Sequence, residues 1–305
     1  MKTLVVGYGS IGKRHASVLA AMGHDVAVVS RRAVDHPQRF ETIEQAVQVH
    51  APEYTVIASR TVEHRDDIAT LSRAGFNQRL LIEKPVYDSG SENPPETFGA
   101  IKVAFNLRFH PALLRFRELL GGRKVFAATI YTGSYLPDWR PDTDYSKGYS
   151  AIRAMGGGVL RDLSHELDYL LWLFGPWRRV AAIGGRFGNL EIDSDDVFSM
   201  LLETARAPSV TLGINYLDTK TKREIVALTD KGTVRLDLVA GTVESDNGTE
   251  TFKTARNDTY TAQHQAILAN DNSVICDISE GLGVMRLIDA AATAATDGCW
   301  ISADD

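Results

Sequence analysis

The sequence predicts an α/β protein with two domains, a first domain built on a parallel sheet and a second α/β domain with a large open, mainly antiparallel sheet. Up to about Phe105, short β-branched runs alternate with segments of helical period, which is typical of βαβ units. After residue 120 the pattern becomes a succession of strands, and Asp230-Lys231-Gly232 is a hairpin turn signal. A chain of 305 residues is long enough to bury two cores.

The first domain is predicted to cover residues 1–108. Its strands are predicted over 3–6, 25–30, 54–59, 80–83 and 101–105, and its helices over 11–22, 42–50 and 63–74. Residues 86–99 hold two glycines and a Pro-Pro pair where a crossover helix would be expected, so we expect this connection to be irregular.

The second domain is predicted to cover residues 109–305. An amphipathic helix over 112–120 ends at the glycine pair 121–122. Strands are then predicted over 124–136, 178–187, 195–203, 208–217, 222–229 and 233–239, and helices over 157–174, 259–269 and 280–296. Because so few helices cannot cover both faces of this sheet, we expect one face to be buried in a homodimer or homotetramer.

The composition argues against several classes of partner. The chain has 33 Lys and Arg against 39 Asp and Glu, a net charge of −6, which does not favour binding to nucleic acid. Its two cysteines are too few for a disulfide framework, and its His and Cys residues lack the spacing of a metal site, so no metal is expected. The sequence has neither a signal h-region nor a long apolar span, so we expect a cytoplasmic protein with no membrane partner.

A glycine-rich turn lies between the first predicted strand and the first predicted helix. It reads GYGSIG over 7–12, the GxGxxG pattern of a Rossmann dinucleotide-binding domain. In this pattern the first glycine permits a tight turn, the second lets the backbone approach a pyrophosphate, and the third lets the helix lie close to the sheet. The alternative is a glycine-rich turn that binds nothing. The predicted cofactor contacts in this turn are Gly7, Gly9, Ser10, Ile11 and Gly12.

The end of the second strand commonly decides which dinucleotide is bound. An acidic side chain there accepts the ribose 2′-hydroxyl of NAD, whereas an arginine suits the 2′-phosphate of NADP. This strand ends in Ser30, Arg31 and Arg32, with two guanidiniums, a hydroxyl and no carboxylate. We therefore expect these residues to favour NADP, with NAD as the alternative cofactor. Two other interpretations stay open: the arginines are solvated loop charges, or Arg31 stacks on the adenine.

Five short motifs follow one another along the chain. They are GYGSIGKRH at 7–15, Ser59-Arg60-Thr61 with His64, EKP at 83–85, NLRFHP at 106–111 and GGGVLRDLSHELD at 156–168. In this order they resemble the motifs of the Gfo/Idh/MocA family of NAD(P)-dependent oxidoreductases, over essentially the whole chain. The resemblance implies a Rossmann domain, an α/β domain with an open antiparallel sheet, and a nicotinamide cofactor at their interface. The further cofactor contacts that we predict are Ser59, Arg60, His64, Glu83, Lys84 and Asn106.

The resemblance also implies Lys84, Asp162 and His165 as catalytic residues, and the chemistry of two of these side chains agrees. Oxidation of a sugar hydroxyl needs a base for the O–H proton while the hydride leaves, and the imidazole of His165 suits that role near neutral pH. An ammonium at the carboxyl end of a parallel strand can stabilise developing alkoxide charge, which fits Lys84. Pro85, the next residue, is a candidate for a cis peptide bond.

Asp162, His165 and Asp168 recur every three residues, so on one helix they would lie along one face. The family commonly places its aspartate four residues before the histidine, where this chain has Arg161. Asp162 could therefore orient the imidazole from another direction, bind a substrate hydroxyl, or lie beside the site. The alternative for the whole set is a solvated polar stripe.

The stretch 135–149, YLPDWRPDTDYSKGY, precedes that helix and has the composition of a binding loop. Aromatic faces stack on the C–H surfaces of sugars, and an arginine can bind a carboxylate or phosphate through two hydrogen bonds. We predict Trp139, Arg140 and Tyr149, together with Asp168, as substrate contacts. The alternative is that the aromatic residues pack on the domain and anchor the loop.

These features together predict an NADP-preferring oxidoreductase that interconverts a hydroxyl and a carbonyl on a sugar, sugar acid or nucleotide-linked sugar by hydride transfer. The DLSHELDY helix and the WRP segment resemble a branch of the family linked to the synthesis of sialic-acid-like sugars. One alternative is a non-catalytic NAD(P)-binding regulator of the same fold, against which the presence of both Lys84 and His165 argues. The other is a reductase of a non-sugar substrate.

Overall fold

A computed structural model describes residues 1–303, which fold as two compact units. The first unit comprises Met1–Phe109 and Ala255–Leu282, and the second comprises His110–Thr254 and the residues from Gly283 onward. The sequence predicts one boundary after residue 108, whereas in the structure residues 255–282 also belong to the first unit. A helix in this segment packs on the first helix of the chain, and a short strand in it pairs with the last parallel strand.

The chain forms its helices and strands in three successive stretches. Up to Phe109 they are β1 Lys2–Val6, α1 Ser10–Ala21, β2 Asp25–Val29, β3 Arg39–Phe40, α2 Ile43–His50, β4 Tyr54–Ile57, α3 His64–Arg73, β5 Arg79–Ile82 and β6 Ala100–Val103. From His110 to Thr254 they are α4 Pro111–Leu120, β7 Val125–Gly133, α5 Val159–Asp162, α6 Ser164–Phe174, β8 Trp177–Gly185, β9 Val197–Thr204, β10 Val210–Asn215, β11 Lys222–Thr229, β12 Gly232–Asp237, β13 Thr242–Ser245 and β14 Gly248–Thr251. The last are α7 Asp258–Ala269, β15 Cys276–Asp277, α8 Ile278–Asp297 and β16 Ile301–Ser302. Within residues 1–303 no helix is both long enough and apolar enough to span a membrane.

The first unit is built on a sheet whose strand order, over the described residues, is β15-β6-β5-β4-β1-β2-β3. The neighbours from β6 to β3 pair in parallel, and β15 pairs antiparallel with β6. Strand β1 lies between β2 and β4, so the direction of winding reverses there. Strand β4 is buried along its whole length, as expected for a parallel strand covered on both faces. In open sheets of this kind, ligands bind at the carboxyl ends of the strands beside the reversal.

The second unit is built on a larger sheet, with the order β14-β13-β12-β11-β7-β10-β9-β8-β16 in the described part of the chain. Strands β7 and β10 pair in parallel, and the other neighbours pair antiparallel. Along β9 the side chains alternate: Phe198, Met200 and Leu202 are buried, whereas Ser199 and Leu201 are exposed. The sheet therefore has one face packed on its own unit and one face open.

These two sheets confirm the predicted fold class, and residues 86–99 contain no helix, as predicted. The single helix predicted over 157–174 is wrong, because the chain breaks at Leu163, where ψ is 32°, and α5 and α6 lie on either side. The sequence does not predict the short strands β3, β13, β14, β15 and β16. Strands of two to four residues are too short to show a period in the sequence.

Candidate active site

The GYGSIG turn connects β1 to α1, at the carboxyl end of one of the two central strands of the parallel sheet. Gly7 has a φ of +90°, and a Cβ on it would lie 2.5 Å from the backbone nitrogen of Ser59. A Cβ on Gly12 would overlap the carbonyl oxygen of Gly7, so α1 can lie this close to the turn only with a glycine there. Gly9 instead faces open space, with nothing within 4 Å of the position of a Cβ. The turn thus leaves free access to the backbone at the N-terminus of α1, as a bound pyrophosphate requires.

The chain leaves β2 through Ser30, Arg31 and Arg32, at the position that distinguishes the two dinucleotides. The Arg31 side chain is 79% exposed, and its guanidinium lies 3.3 Å from Oε1 of Glu63. Arg60 donates to the same carboxylate oxygen at 2.6 Å, and this hydrogen bond lowers the pKa of Glu63. A carboxylate is therefore present beside Arg31 after all, although it comes from the segment that follows β4.

The segment after β4 also holds a carboxyl group and an imidazole that are buried. The hydroxyl of Ser59 donates to Oδ2 of Asp67 at 2.5 Å, and burial raises the pKa of Asp67 from 3.8 to about 6. His64 places Nδ1 3.0 Å from the carbonyl oxygen of Val86 and Nε2 3.3 Å from that of Ser59. Burial lowers the pKa of His64, so the neutral ring donates to one of these carbonyls at a time. Both side chains fix the backbone that meets Gly7.

The EKP segment follows β5, and its Lys84–Pro85 peptide bond is cis. Glu83 is buried, and its Oε1 lies 2.7 Å from Nε2 of His15 on α1. Its Oε2 accepts a hydrogen bond from the backbone N–H of Lys84 at 3.2 Å. Because β5, β4 and β1 are parallel neighbours, Lys84 leaves the sheet at the same edge as the glycine turn.

The remaining predicted cofactor residues lie at this edge or support it. Ser10 and Ile11 form the first turn of α1, directly after Gly9. Asn106 is buried and donates from Nδ2 to Oγ1 of Thr259 at 2.7 Å, which ties the segment after β6 to the late helix α7. The first unit therefore has the turn, the helix N-terminus and the polar side chains that a dinucleotide needs.

In the second unit, the break at Leu163 places Asp162 at the end of α5, apart from the rest of the predicted stripe. Its Oδ2 accepts the O–H of Tyr216 at 2.6 Å. The ring of Tyr216 packs edge-on against Trp139, with 5.3 Å between centroids, and Nε1 of Trp139 donates to Oγ of Ser134 at 2.8 Å. The structure therefore brings Trp139 and Asp162 together through Tyr216, a residue that the sequence does not single out.

Asp195 holds the short helix α5 in place, and the sequence does not single out this residue either. The backbone carbonyl of Asp195 accepts from the N–H of Val159 at 3.0 Å, and its Oδ2 accepts from the N–H of Leu160 at 2.9 Å. Gly158, with a φ of +120°, lets the chain pass close to this carboxylate, which a Cβ would strike. Burial raises the pKa of Asp195. A local sequence pattern contains no signal for such a cap, because its partner is more than thirty residues away.

Helix α6 carries His165 and Asp168. His165 lies in its first turn and is partly buried, whereas Asp168, one turn later, is buried. Glu166 is fully buried between them, and its Oε1 accepts from Nε of Arg223 at 2.7 Å. This part of the chain is therefore not a solvated polar stripe.

The predicted substrate loop lies in the second unit as well. The hydroxyl of Tyr149 donates to the carbonyl oxygen of Gly156 at 2.9 Å, so it holds the turn that leads into α5. Arg140 is exposed. Of the predicted catalytic pair, Lys84 belongs to the first unit and His165 to the second.

Part of the second unit matches a known protein family. Residues 118–235 match the family model described as GFO/IDH/MocA C-terminal domain. A stretch of 79 residues is 38% identical to an uncharacterized oxidoreductase of Synechocystis sp.. That stretch is 26% of this chain and spans 21% of the relative's length.

Three solved structures share the fold of both units. GenD2 from gentamicin A biosynthesis, in complex with NAD, is 22% identical with a TM-score of 0.81, covering 99% of this chain and 96% of its own. The WlbA dehydrogenase of Bordetella pertussis, in complex with NADH and UDP-GlcNAcA, is 18% identical with a TM-score of 0.80, covering 99% and 98%. Levoglucosan dehydrogenase in complex with NADH is 15% identical with a TM-score of 0.84, covering 99% and 98%. The family model thus matches residues 118–235 of the second unit, and the likeness to these solved structures shows that the chain shares their fold.

Proposed function

We propose that this protein is an NAD(P)-dependent oxidoreductase that interconverts a hydroxyl and a carbonyl on a sugar, sugar acid or nucleotide-linked sugar. The observation that carries the proposal is the glycine turn at the start of α1. Gly7 and Gly12 are required by close backbone contacts, while the space at Gly9 is open. This combination leaves the helix N-terminus accessible to the phosphates of a dinucleotide.

The chain supplies the groups that such a reaction needs. A bound nicotinamide accepts or supplies a hydride, and the protein must handle the proton of the reacting hydroxyl. We assign His165 as the base that accepts this proton and Lys84 as the cation that stabilises negative charge on the same oxygen. In the reverse direction His165 returns the proton to the carbonyl oxygen.

A sugar-type substrate is supported by the side chains around Asp162. Trp139 and Tyr216 offer aromatic rings, and Asp162 offers a carboxylate whose position Tyr216 fixes. Aromatic rings and acidic hydrogen-bond acceptors are the groups that bind the C–H and O–H surfaces of a sugar. The likeness to dehydrogenases solved with UDP-GlcNAcA and to levoglucosan dehydrogenase supports the same class of substrate.

We further propose that NADP is preferred over NAD. Arg31 and Arg32 follow β2 directly, and the Arg31 guanidinium is exposed. Its ion pair with Glu63 is weak at this exposure, so a 2′-phosphate with two negative charges can replace Glu63 as its partner. The solved relatives named above contain NAD or NADH, which makes NAD the alternative to be tested.

The direct test is a panel of sugars, sugar acids and nucleotide-linked sugars assayed with NADP, NAD and their reduced forms. We expect turnover of at least one member of the panel, followed by the absorbance of the reduced nicotinamide, with a higher kcat/KM for the phosphorylated cofactor. Binding of cofactor without turnover of any member would instead favour a non-catalytic regulator. Turnover restricted to imines or other non-sugar carbonyls would replace the substrate class.

A further inference from the structure

Four buried polar side chains in the first unit form an unbroken line of hydrogen bonds. The hydroxyl of Tyr54 on β4 lies 2.8 Å from Nδ1 of His264 on α7. Nε2 of His264 lies 2.9 Å from Nδ1 of His15 on α1, and Nε2 of His15 lies 2.7 Å from Oε1 of Glu83 after β5. Tyr54, His15 and His264 have no exposed surface, and Glu83 is 7% exposed. We call these four residues the buried relay.

The donor and acceptor capacities of the four side chains determine which atom donates in each hydrogen bond of the relay. The Glu83 carboxylate can only accept, so His15 must donate to it from Nε2. A neutral His15 then accepts at Nδ1, which requires His264 to donate from Nε2. His264 in turn accepts at Nδ1 from the hydroxyl of Tyr54. Every polar atom along the line is satisfied with both rings neutral and both protons on Nε2.

If each hydrogen bond between Tyr54 and His15 ran the other way, the O–H of Tyr54 would have no acceptor. That arrangement needs a cationic His15, and it turns the hydroxyl of Tyr54 into an acceptor, so its own O–H must donate elsewhere. Within residues 1–303 the hydroxyl of this fully buried residue has His264 as its hydrogen-bond partner. Burial, followed by the nearby rings of His15 and His24, lowers the pKa of His264 well below its ordinary value, so His264 does not carry the charge.

The relay ends beside the lysine that we assign to the reaction. Oε1 of Glu83 is held by His15, and its Oε2 accepts the backbone N–H of Lys84 at 3.2 Å. From this geometry we infer that Tyr54, His264 and His15 are positioning residues: they fix the Glu83 carboxylate, which in turn fixes the main chain of Lys84. The inference rests on the proposed function only for the role of Lys84. The relay itself stands on the contacts within the first unit.

Tyr260 on α7 is a further ionisable side chain in contact with the relay. The ring of Tyr260 packs edge-on against His15, with 5.5 Å between centroids. Its hydroxyl accepts a hydrogen bond from Nη1 of Arg14 at 3.4 Å, outside the line of the relay. Tyr260 therefore offers a control: a partly buried tyrosine that touches a relay histidine and takes no part in the relay.

Four variants separate hydrogen bonding from packing. His264→Gln keeps the relay, because one amide group can both donate to His15 and accept from Tyr54. His264→Leu fills the space but interrupts the relay, and Tyr54→Phe removes only its first donor. Tyr260→Phe is the control. Should His264→Leu fail to fold, Tyr54→Phe and His264→Gln still give the comparison.

Two measurements need no substrate. In the unmodified protein, NMR of ¹⁵N-labelled histidine should show His15 and His264 as neutral rings protonated at Nε2 at neutral pH. Hydrogen exchange of the Lys84 amide should quicken by about tenfold in His264→Leu and in Tyr54→Phe, and stay within about twofold of wild type in His264→Gln and Tyr260→Phe. A cationic or Nδ1-protonated His15, or equal exchange in all four variants, would overturn the relay.

The third measurement needs turnover. We expect kcat to fall by about tenfold in His264→Leu and Tyr54→Phe, with cofactor affinity within about twofold and recovery of kcat in His264→Gln. Unchanged kcat in His264→Leu would refute the positioning role. If the unmodified protein turns over no sugar while the NMR and exchange results hold, then the proposed function fails and the relay stands.

Discussion

Arg31 is the residue on which the proposed preference for NADP depends. Its guanidinium lies 3.3 Å from Glu63, whose Oε1 also accepts from Arg60 at 2.6 Å. Loss of a charge-assisted phosphate contact costs about 1.5 to 3 kcal/mol, or roughly ten- to hundredfold in affinity. We therefore expect Arg31→Ala to weaken NADPH binding by that factor, with NADH binding nearly unchanged, as measured by calorimetry.

Glu63→Gln is the complementary variant. It removes the carboxylate that competes with a 2′-phosphate for Arg31, so the affinity for NADPH should rise by several-fold while that for NADH does not. Equal affinities for the two cofactors in the unmodified protein, or an Arg31→Ala variant that keeps the full preference for NADPH, would refute the proposed selectivity.

Asp67 gives a prediction for stability as a function of pH. Burial raises its pKa from 3.8 to about 6, so above pH 6 the folded protein holds a buried charge that the unfolded chain holds in water. This cost is complete above about pH 6 and shrinks as the pH falls towards 4, where the folded protein is already protonated. Asp67→Asn should accordingly stabilise the protein by about 1 to 3 kcal/mol at pH 8 and by little at pH 4.

Denaturant unfolding of Asp67→Asn at several pH values checks this prediction. The asparagine can still accept the hydrogen bond from Ser59, so the variant changes the charge and keeps the contact. Asp66→Asn, a neighbour on the same helix that is exposed, is the matched control and should show no such dependence on pH. A variant at Asp67 that destabilises the protein equally at pH 4 and pH 8 would contradict the assignment.

At the level of elements, the sequence predicts the parts with a strong local signal and misses those that depend on distant residues. The alternation of strands and helices up to β6 follows from hydrophobic period, and the glycine turn follows from a six-residue motif. The break at Leu163 has no such signal, because α5 and α6 read as one helical pattern. What holds α5 in place is Asp195, and what holds Asp162 is Tyr216, both remote in sequence.

The glycine turn gives the prediction at this scale. A Cβ on Gly12 would overlap the carbonyl oxygen of Gly7, whereas one on Gly9 would meet nothing within 4 Å. Gly12→Ala should therefore lower the melting temperature by several degrees and also weaken cofactor binding. Gly9→Ala should leave the melting temperature unchanged and weaken cofactor binding alone, because its methyl group occupies the space of the pyrophosphate. Full cofactor affinity in Gly9→Ala would contradict this use of the turn.

At the scale of the whole molecule, the open face of the larger sheet is the feature to explain. Ile183 on β8, Leu201 on β9 and Leu228 on β11 are exposed on it. One row across this face runs Leu201, Thr211, Thr129 and Val226 without a charge, and it reaches Arg235 on the next strand, β12. An open sheet face with exposed apolar side chains is typical of an interface between subunits, so we propose a dimer or tetramer.

Light scattering at micromolar concentration measures the assembly. We expect a mass of two or four chains, and we expect Leu201→Lys to shift it towards the monomer. Val49→Lys, which changes an exposed apolar residue in the first unit, should leave the mass unchanged. A mass of 33.4 kDa for the unmodified protein would refute the proposed assembly.

The central proposal is that Lys84 and His165 act on one oxygen of one substrate. Both nitrogens must then lie within hydrogen-bond reach of that oxygen when substrate is bound. The most direct test compares Lys84→Met and His165→Asn with the unmodified enzyme on the best substrate of the panel, with cofactor affinity and melting temperature measured alongside. We predict that each variant lowers kcat by about 10²- to 10⁴-fold, while the cofactor affinity of His165→Asn stays within about threefold. Turnover by His165→Asn at the rate of the unmodified enzyme would contradict the account.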